Sequence, residues 1–262
     1  MSLLANIVPK VGGAAFQEKG RTVPEKPLPD GILIDLDDTI ISYSAFGEPC
    51  WESACSLKHP RLAEILPGHL YKIVRETRNW FWSDPERHRI NRQNMRLSQR
   101  RVVNHALERL GIDDWELATT IADRFIEERK QTILPFPGAI ETLAALQDLR
   151  IPMVLITNGA SVPQREKISK FALQQYFTAI FIEGECGYGK PDKRIYLDGL
   201  DALNTQAENT WMVGDNLDWE IRVPKELGIY SIWCDALDEG LPEGSDVIPD
   251  RIITSLIQLL PT

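Results

Sequence analysis

Cysteine and histidine are scarce in this 262-residue chain, four of each. Cys50, Cys55, Cys186 and Cys234 form no C-x-x-C pair and share no ligand spacing with the histidines. That excludes a zinc ribbon or finger and a disulfide-framed scaffold, and leaves free thiols in a reducing compartment. Long apolar runs are missing too. Nothing approaches the roughly 18 residues of a membrane span, and no signal-peptide pattern precedes the first strand-like segment. The chain therefore reads as cytoplasmic, with no membrane partner. Positive charge is in short supply, with 29 Lys and Arg against 38 Asp and Glu and a net charge of −9. A general nucleic-acid binder held by counterion release is excluded, and an anionic substrate needs a local basic patch. Internal repeats and low-complexity segments are absent. What remains is 43% apolar residues, ample for the core of one large domain or two.

Three changes of texture divide the chain. Residues 1–29, with several glycines and prolines, read as an irregular N-terminal arm. Gly31 to Ile41 reads as one strand of the continuous apolar type, which suits a parallel sheet covered on both faces. From about Glu48 to Ile133 the pattern turns helical, in "RLAEIL", "LYKIVRETRNWFW", "RRVVNHALERLGI" and "ELATTIADRFIEERK". These are broken at "LPGH", "SDPE" and "GIDDW", which predicts about four helices and no sheet. From Phe136 onward helix and strand alternate, ending with the strand "YSIWCD". Alternation of this kind predicts βαβ units with right-handed crossovers. The helical block, residues 47–133, is thus inserted between the first strand and the rest of an α/β sheet formed by 30–46 and 134–262.

Ligands of open α/β sheets bind at the carboxyl ends of the strands. The first strand ends in "GILIDLDDTI", three acids within four positions: Asp35, Asp37 and Asp38. Desolvated carboxylates are expensive unless paired with cations or a metal, so something positive is expected there. "MVLIT" ends in Thr157, Asn158 and Gly159, and "WMVG" ends in Asp215 and Asn216. Between them lies "GECGYGKPD", carrying Lys190. Two or three acids, one or two neutral donors and one lysine suit phosphoryl transfer: acids for Mg²⁺, donors and a cation for phosphate oxygens, a carboxylate to attack phosphorus. Gly184 to Lys190 also matches the G-x-x-x-x-G-K of a nucleotide-binding loop, but Pro191 stands where the Mg²⁺-binding hydroxyl belongs, which excludes that reading.

The four segments, in this order from about Ile32 to Cys234, resemble the haloacid dehalogenase (HAD) superfamily of phosphatases. Its signature is an hhhhDxD-T strand, an hhhhT/S-N-G strand, a K-P loop and an hhhhGD-xxxx-D loop. The resemblance implies a Rossmann-like parallel-sheet core with an inserted all-helical cap of the first type, which selects the substrate. It further implies Asp35 as nucleophile, forming an aspartyl-phosphate, and Asp37 as general acid and then base. Thr157, with backbone help near Asn158, holds the transferring phosphate, and Lys190 neutralises nucleophile and phosphate together. Asp215 binds Mg²⁺ with the Asp35 carboxylate and the Asp37 carbonyl. The implied activity is Mg²⁺-dependent hydrolysis of a small phosphorylated metabolite by a monomer or homodimer. A phosphomutase or phosphotransferase and a non-catalytic phosphate-sensing module are the alternatives. A dehalogenase is disfavoured, because it has no need of an acid at Asp37 or of Mg²⁺.

The chain departs from the family pattern at Asp38 (glycine is common there), at Lys193 after "KPD", at "RVPKELG", and at Glu220. Glu220 takes the place of the second acid of the fourth motif, so it, Asp218 or Asn216 completes the Mg²⁺ surroundings. Asp218 itself reads as a first-turn acid favoured by the helix dipole, and Asn158 as either a helix cap or a phosphate contact. In the helical block nine basic residues fall between His69 and Arg101 against three acids. They form either a solvated face or a cluster at the mouth of the site that clamps an anion, with Arg92 and Arg96 as the candidates. Trp51, Trp80, Phe81 and Trp82 read as core.

Overall fold

The computed structural model describes residues 28–261, so the arm expected over 1–29 falls almost wholly outside the described residues. The apolar run after Asp30 forms strand β1 (Gly31–Ile34), buried at every position. Beside it lie β4 (Met153–Thr157) and β6 (Thr210–Gly214), then β5 (Ala179–Ile182) outside β4, and β7 (Tyr230–Cys234) and β8 (Arg251–Ile253) beyond β6. All six are parallel. Taken in chain order, the sheet reads 3-2-1-4-5-6, the doubly wound arrangement whose switch point falls at the central strand. The α/β parallel-sheet expectation holds. β8 is an addition, three residues long with a half-exposed Ile252, too short to register as a strand in the sequence.

Successive residues of β1 point to opposite faces, as a strand requires. Ile32 and Ile34 pack with Leu143, Leu146, Met153 and Leu155 on one side. Leu33 packs with Val154, Ile156, Ile195, Tyr196 and Met212 on the other. Each such side chain, fully withdrawn from water, stabilises the fold by about 1.5–3 kcal/mol. Helices α6 (Ala139–Asp148), α7 (Ser161–Lys170) and α9 (Lys193–Leu203) provide the covering layers, with short helices α8 (Glu183–Cys186) and α10 (Val223–Glu226) in the connections.

Gly31–Ile41 is two pieces, not one strand. β1 stops at Ile34, the chain turns through Asp38 with φ of 60°, and β2 (Ile41–Ser42) pairs antiparallel with β3 (Leu134–Pro135). Between β2 and β3 the chain is helical: α1 (Gly47–Cys55), α2 (His69–Ser83), α3 (Pro85–Asn91), α4 (Met95–Arg109) and α5 (Trp115–Thr132). The expected breaks are where the helices stop and start. Gly68 precedes α2 with φ of 76°, Asp84 caps α3 ahead of Pro85, and Asp114 caps α5. "RLAEIL" is not a helix; only a 3₁₀ turn forms there, at Pro60–Leu62. These helices share a hydrophobic cluster of their own, centred on Trp51, Val74, Leu107, Ile121 and Phe125, with the Trp51 and Phe125 rings stacked at 3.8 Å. Trp51 and Phe81 are core as expected, whereas Trp80 is half exposed and stacks on His105 under the Arg87 guanidinium. All four cysteines are free, and no helix among the described residues is long and apolar enough to cross a membrane.

Candidate active site

The carboxyl ends of β1, β4 and β6 bring the sequence-predicted residues to one edge of the sheet. Asp35 follows β1 directly, and its N–H donates to the Val213 carbonyl at 3.0 Å, which fastens the backbone to β6. Its carboxylate is buried, with Lys190 Nζ at 2.5 Å from Oδ1. The same ammonium sits 2.5 Å from Glu220 Oε1, so Lys190, only 1% exposed, is clasped between two carboxylates. Glu220 Oε2 accepts from the Asn216 N–H at 2.8 Å. Glu220, one methylene longer than the aspartate expected there, is thus paired with the lysine and the start of its own helix. Asp218 is exposed and paired with Arg222, in keeping with its reading as a first-turn acid. The Asn216 side chain accepts from the N–H groups of Asp218 and Trp219.

Two close approaches make this clasp possible. A Cβ on Gly214 would lie 2.0 Å from Glu220 Cγ, and one on Gly189 would lie 2.5 Å from Asn158 Oδ1. Asn158 is paired with the Lys190 backbone in both directions, Nδ2 donating to its carbonyl at 2.7 Å and Oδ1 accepting its N–H at 2.8 Å. The side chain therefore locks the lysine loop to the end of β4. It does not cap α7, whose N-cap is Ala160. Only the main chain around Asn158 remains for a phosphate.

Electrostatically the cluster is short of positive charge. With all three ionised, Asp35, Asp215 and Glu220 set three carboxylates against one ammonium, a deficit of two charges. Burial, opposed by Lys190 and reinforced by Glu220, pushes the Asp35 carboxyl up to about 7. Burial and then the Glu220 and Asp35 charges push Asp215 up to about 9. Burial works against the Lys190 ammonium, but the Asp35 and Glu220 carboxylates outweigh it and raise its pKa. Among the described residues no three His, Cys, Asp or Glu side chains converge as a metal cage. Two carboxylates and a main-chain carbonyl with a double negative deficit nevertheless fit Mg²⁺, which keeps several waters and takes only one or two carboxylates from a protein.

Asp37 belongs to the same edge but is held differently. Lys167 Nζ lies 2.6 Å from both of its oxygens, and Gln164 Nε2 is 2.9 Å from Oδ2. Gln164 also reaches Thr157 Oγ1 at 2.5 Å and the Asn158 carbonyl at 2.9 Å. Asp38 is not a site acid. Its carboxylate accepts from the N–H groups of Tyr43 and Ser44 and from the Ser44 hydroxyl, shaping the turn into β2. Gln164, Lys167 and Glu183 escaped the sequence reading. For Gln164 and Lys167 the available signal was their i, i+3 spacing on the helix that begins at Ser161, three positions after Asn158, since helical side chains tilt back toward the N-terminus.

The basic run in the helices divides. Arg92 reaches Glu183 Oε1 at 2.6 Å, with side-chain exposures of 11% and 7%, and its guanidinium lies over the Trp219 ring. Glu183 Oε2 accepts from the Gly159 N–H at 2.9 Å, so Arg92 is linked to the loop that follows Thr157. Arg96, 43% exposed, pairs with Asp123 and Glu127 away from the site. Most of the others pair with acids or carbonyls on the helices themselves, as a solvated face does.

The doubly wound sheet thus carries two acids after its first strand, a buried lysine and a strand-end hydroxyl at its switch point, where α/β enzymes of this class bind their ligands. The chain belongs to the haloacid dehalogenase-like hydrolases, whose family model matches residues 29–228. It is 35% identical over 157 residues to a phosphoserine phosphatase of Thermus thermophilus, a match spanning 60% of this chain and 61% of that protein. It is 24% identical to a glyceraldehyde 3-phosphate phosphatase of Methanopyrus kandleri over 87% of this chain and 94% of that one. Among solved structures, the HAD-hydrolase YfnB of Bacillus subtilis, bound to magnesium, superposes with a TM-score of 0.64 at 21% identity, covering 88% and 97% of the two chains.

Proposed function

We propose that the protein hydrolyses a small phosphorylated metabolite in a Mg²⁺-dependent reaction through an aspartyl-phosphate on Asp35. The observation that carries this reading is the buried Lys190, clasped between Asp35 and Glu220 at 2.5 Å from each. A buried charge so placed next to a carboxylate suits a nucleophile that must meet a dianionic ester. Asp35 Oδ2, the oxygen not held by Lys190, attacks phosphorus while the bond to the ester oxygen breaks and Asp37 protonates the leaving oxygen. Water, deprotonated by Asp37, then attacks the phosphorus of the acyl phosphate, and the Asp35 carboxylate is restored. Thr157 and the main chain near Asn158 receive the phosphate oxygens. The carboxylates of Asp35 and Asp215 and the carbonyl of Asp37 would hold Mg²⁺, which supplies charge neutralisation on the transferring phosphoryl group. The helices of residues 47–133 act as the cap that closes over the core and selects the substrate. Nucleic acid and membrane are not partners in this reading, and the setting is cytoplasmic, as monomer or homodimer.

General acid–base help supplies only about 10²–10⁴ of accelerations that reach ~10²¹ for phosphomonoesters, so positioning and charge neutralisation carry most of the rate. The test is phosphate release from p-nitrophenyl phosphate and a panel of phosphorylated sugars, nucleotides and small acids, with Mg²⁺ and with chelator. Release that needs Mg²⁺ and disappears in Asp35→Asn supports the reading, and the panel ranking begins to name the substrate. A wild-type protein inert toward every ester overturns it.

A further inference from the structure

We infer that Gln164 and Lys167 are positioning residues that fix the Asp37 carboxylate for proton transfer, and that they do so from the helix that also orders the phosphate-binding loop. This rests on the proposed phosphatase reading and deepens it. Asp37 lies on the turn after β1, with its side chain 25% exposed against 8% for Asp35. Neither Asp35 nor Lys190 anchors its carboxylate. The hydrogen bonds that hold it come from α7: two from Lys167 at 2.6 Å and one from Gln164 at 2.9 Å.

The Gln164 amide is a hub. Its Nε2 has three oxygens within hydrogen-bond reach: Asp37 Oδ2, Thr157 Oγ1 and the Asn158 carbonyl. A side-chain amide carries two hydrogens, so three acceptors share two donors. The carbonyl and the ionised carboxylate can only accept, which fixes the amide with nitrogen toward the site. Buried at 3% exposure, this side chain registers the acid of the first motif against the hydroxyl of the second. Lys167 closes the other side, its ammonium 4.6 Å from the centroid of the Tyr43 ring, so the cation is sheltered and the contact is directional. An exposed ion pair alone contributes about 0–1 kcal/mol to stability and requires no such shared amide. The arrangement instead suits holding one carboxylate to the tolerance proton transfer requires, where a displacement of about 1 Å can lower the rate about 10²-fold.

Positioning of a leaving-group acid has a signature that substrate binding and folding do not. p-Nitrophenolate, a weak base, leaves without a proton, whereas phenolate and p-methoxyphenolate depend increasingly on one. The comparison is kcat/KM, which stops at phosphoryl transfer and excludes the later attack of water, for p-nitrophenyl, phenyl and p-methoxyphenyl phosphate. Lys167→Met and Gln164→Leu, each checked for folding by circular dichroism, should lose at least about tenfold more on p-methoxyphenyl than on p-nitrophenyl phosphate. Lys167→Arg should restore part of the difference. Equal losses across the series, or none in whichever variant folds, overturn the inference while the phosphatase reading stands. A wild-type protein with no Mg²⁺-dependent turnover of these three or of any ester in the wider panel overturns that reading, and this inference with it.

Discussion

Removal of divalent cations should destabilise this site increasingly as pH rises. Burial has pushed the Asp35 carboxyl up to about 7 and the Asp215 carboxyl up to about 9, with Glu220 adding to both. In the unfolded chain both return to the ordinary aspartate value of about 3.9. Between these limits the native state binds more protons than the unfolded state. The stabilisation from this source is therefore full near and below the unfolded value and is lost as pH rises through the folded ones. Each group contributes at most about 1.4 kcal/mol per pH unit, so the two give an upper bound of about 4 kcal/mol between pH values of about 5.5 and about 7. Asp35 ceases to contribute near its folded value and Asp215 continues beyond it. At about 2–4 °C per kcal/mol for a chain of this size, the bound is a fall in Tm of roughly 10 °C.

Mg²⁺ should cancel most of that slope, because a dication matches the deficit of two charges. His88 acts in the opposite sense. Burial and then Arg92 lower its pKa, so its contribution is gained, not lost, as pH rises through its ordinary value. Its charged neighbours are Arg92 and Glu183, neither of them paired with Asp35, Asp215 or Glu220, so comparing chelated with Mg²⁺-loaded protein at each pH removes most of its effect. The assay is thermal unfolding in EDTA and in Mg²⁺ at about pH 5.5, about pH 7 and about pH 8.5. The gap in Tm between the two should widen with pH. A gap that stays constant or narrows would refute the charge accounting.

Three further outcomes are expected. Arg92→Ala removes the partner of buried Glu183, which keeps the Gly159 N–H, so the loss should be roughly 1–3 kcal/mol in urea unfolding, short of the 3–5 kcal/mol of an uncompensated buried charge; Arg96→Ala, on an exposed pair, should stay within about 0.5 kcal/mol, and equal effects would count against the distinction. Gly214→Ala forces Glu220 off Lys190, because its Cβ would lie 2.0 Å from Glu220 Cγ, and kcat/KM on p-nitrophenyl phosphate should drop at least about 10²-fold; wild-type activity would remove the clasp from the mechanism. Glu220→Gln lowers the charge deficit from two to one, so Mg²⁺ affinity by calorimetric titration should weaken and the pH-dependent Tm gap shrink, whereas unchanged affinity would separate Glu220 from metal binding.

Much of this site is legible in the sequence because its chemistry is local. Asp35, Thr157 and Asp215 each terminate a continuous apolar run, and such runs in alternation with helices fix both the parallel sheet and the edge at which the polar residues emerge. What the sequence hides is pairing. It counts nine basic residues from His69 to Arg101 but does not tell that Arg92 meets Glu183 while Arg96 meets Asp123 and Glu127. It shows three acids after β1 but not that Asp38 turns its carboxylate to the Tyr43 and Ser44 amides. The left-handed conformation of Asp38 likewise breaks the single strand expected from Gly31 to Ile41, a turn that apolar periodicity alone does not register.

The surroundings of the two acids fit the division of labour in the proposed reaction. Asp35 is wrapped by a lysine that is itself buried between carboxylates, so its position is set by the packed core and its access to bulk water is slight. That suits a group that must form and release one covalent bond in the same place. Asp37 is three times as exposed, at 25% against 8%, and its partners stand on a helix outside the sheet. A group that gives a proton to one oxygen and takes one from water in each cycle needs contact with solvent as well as a fixed geometry. Lys167 and Gln164 supply the geometry without sealing the acid off, so Asp37 has its own set of side-chain contacts while Lys190 is shared between Asp35 and Glu220.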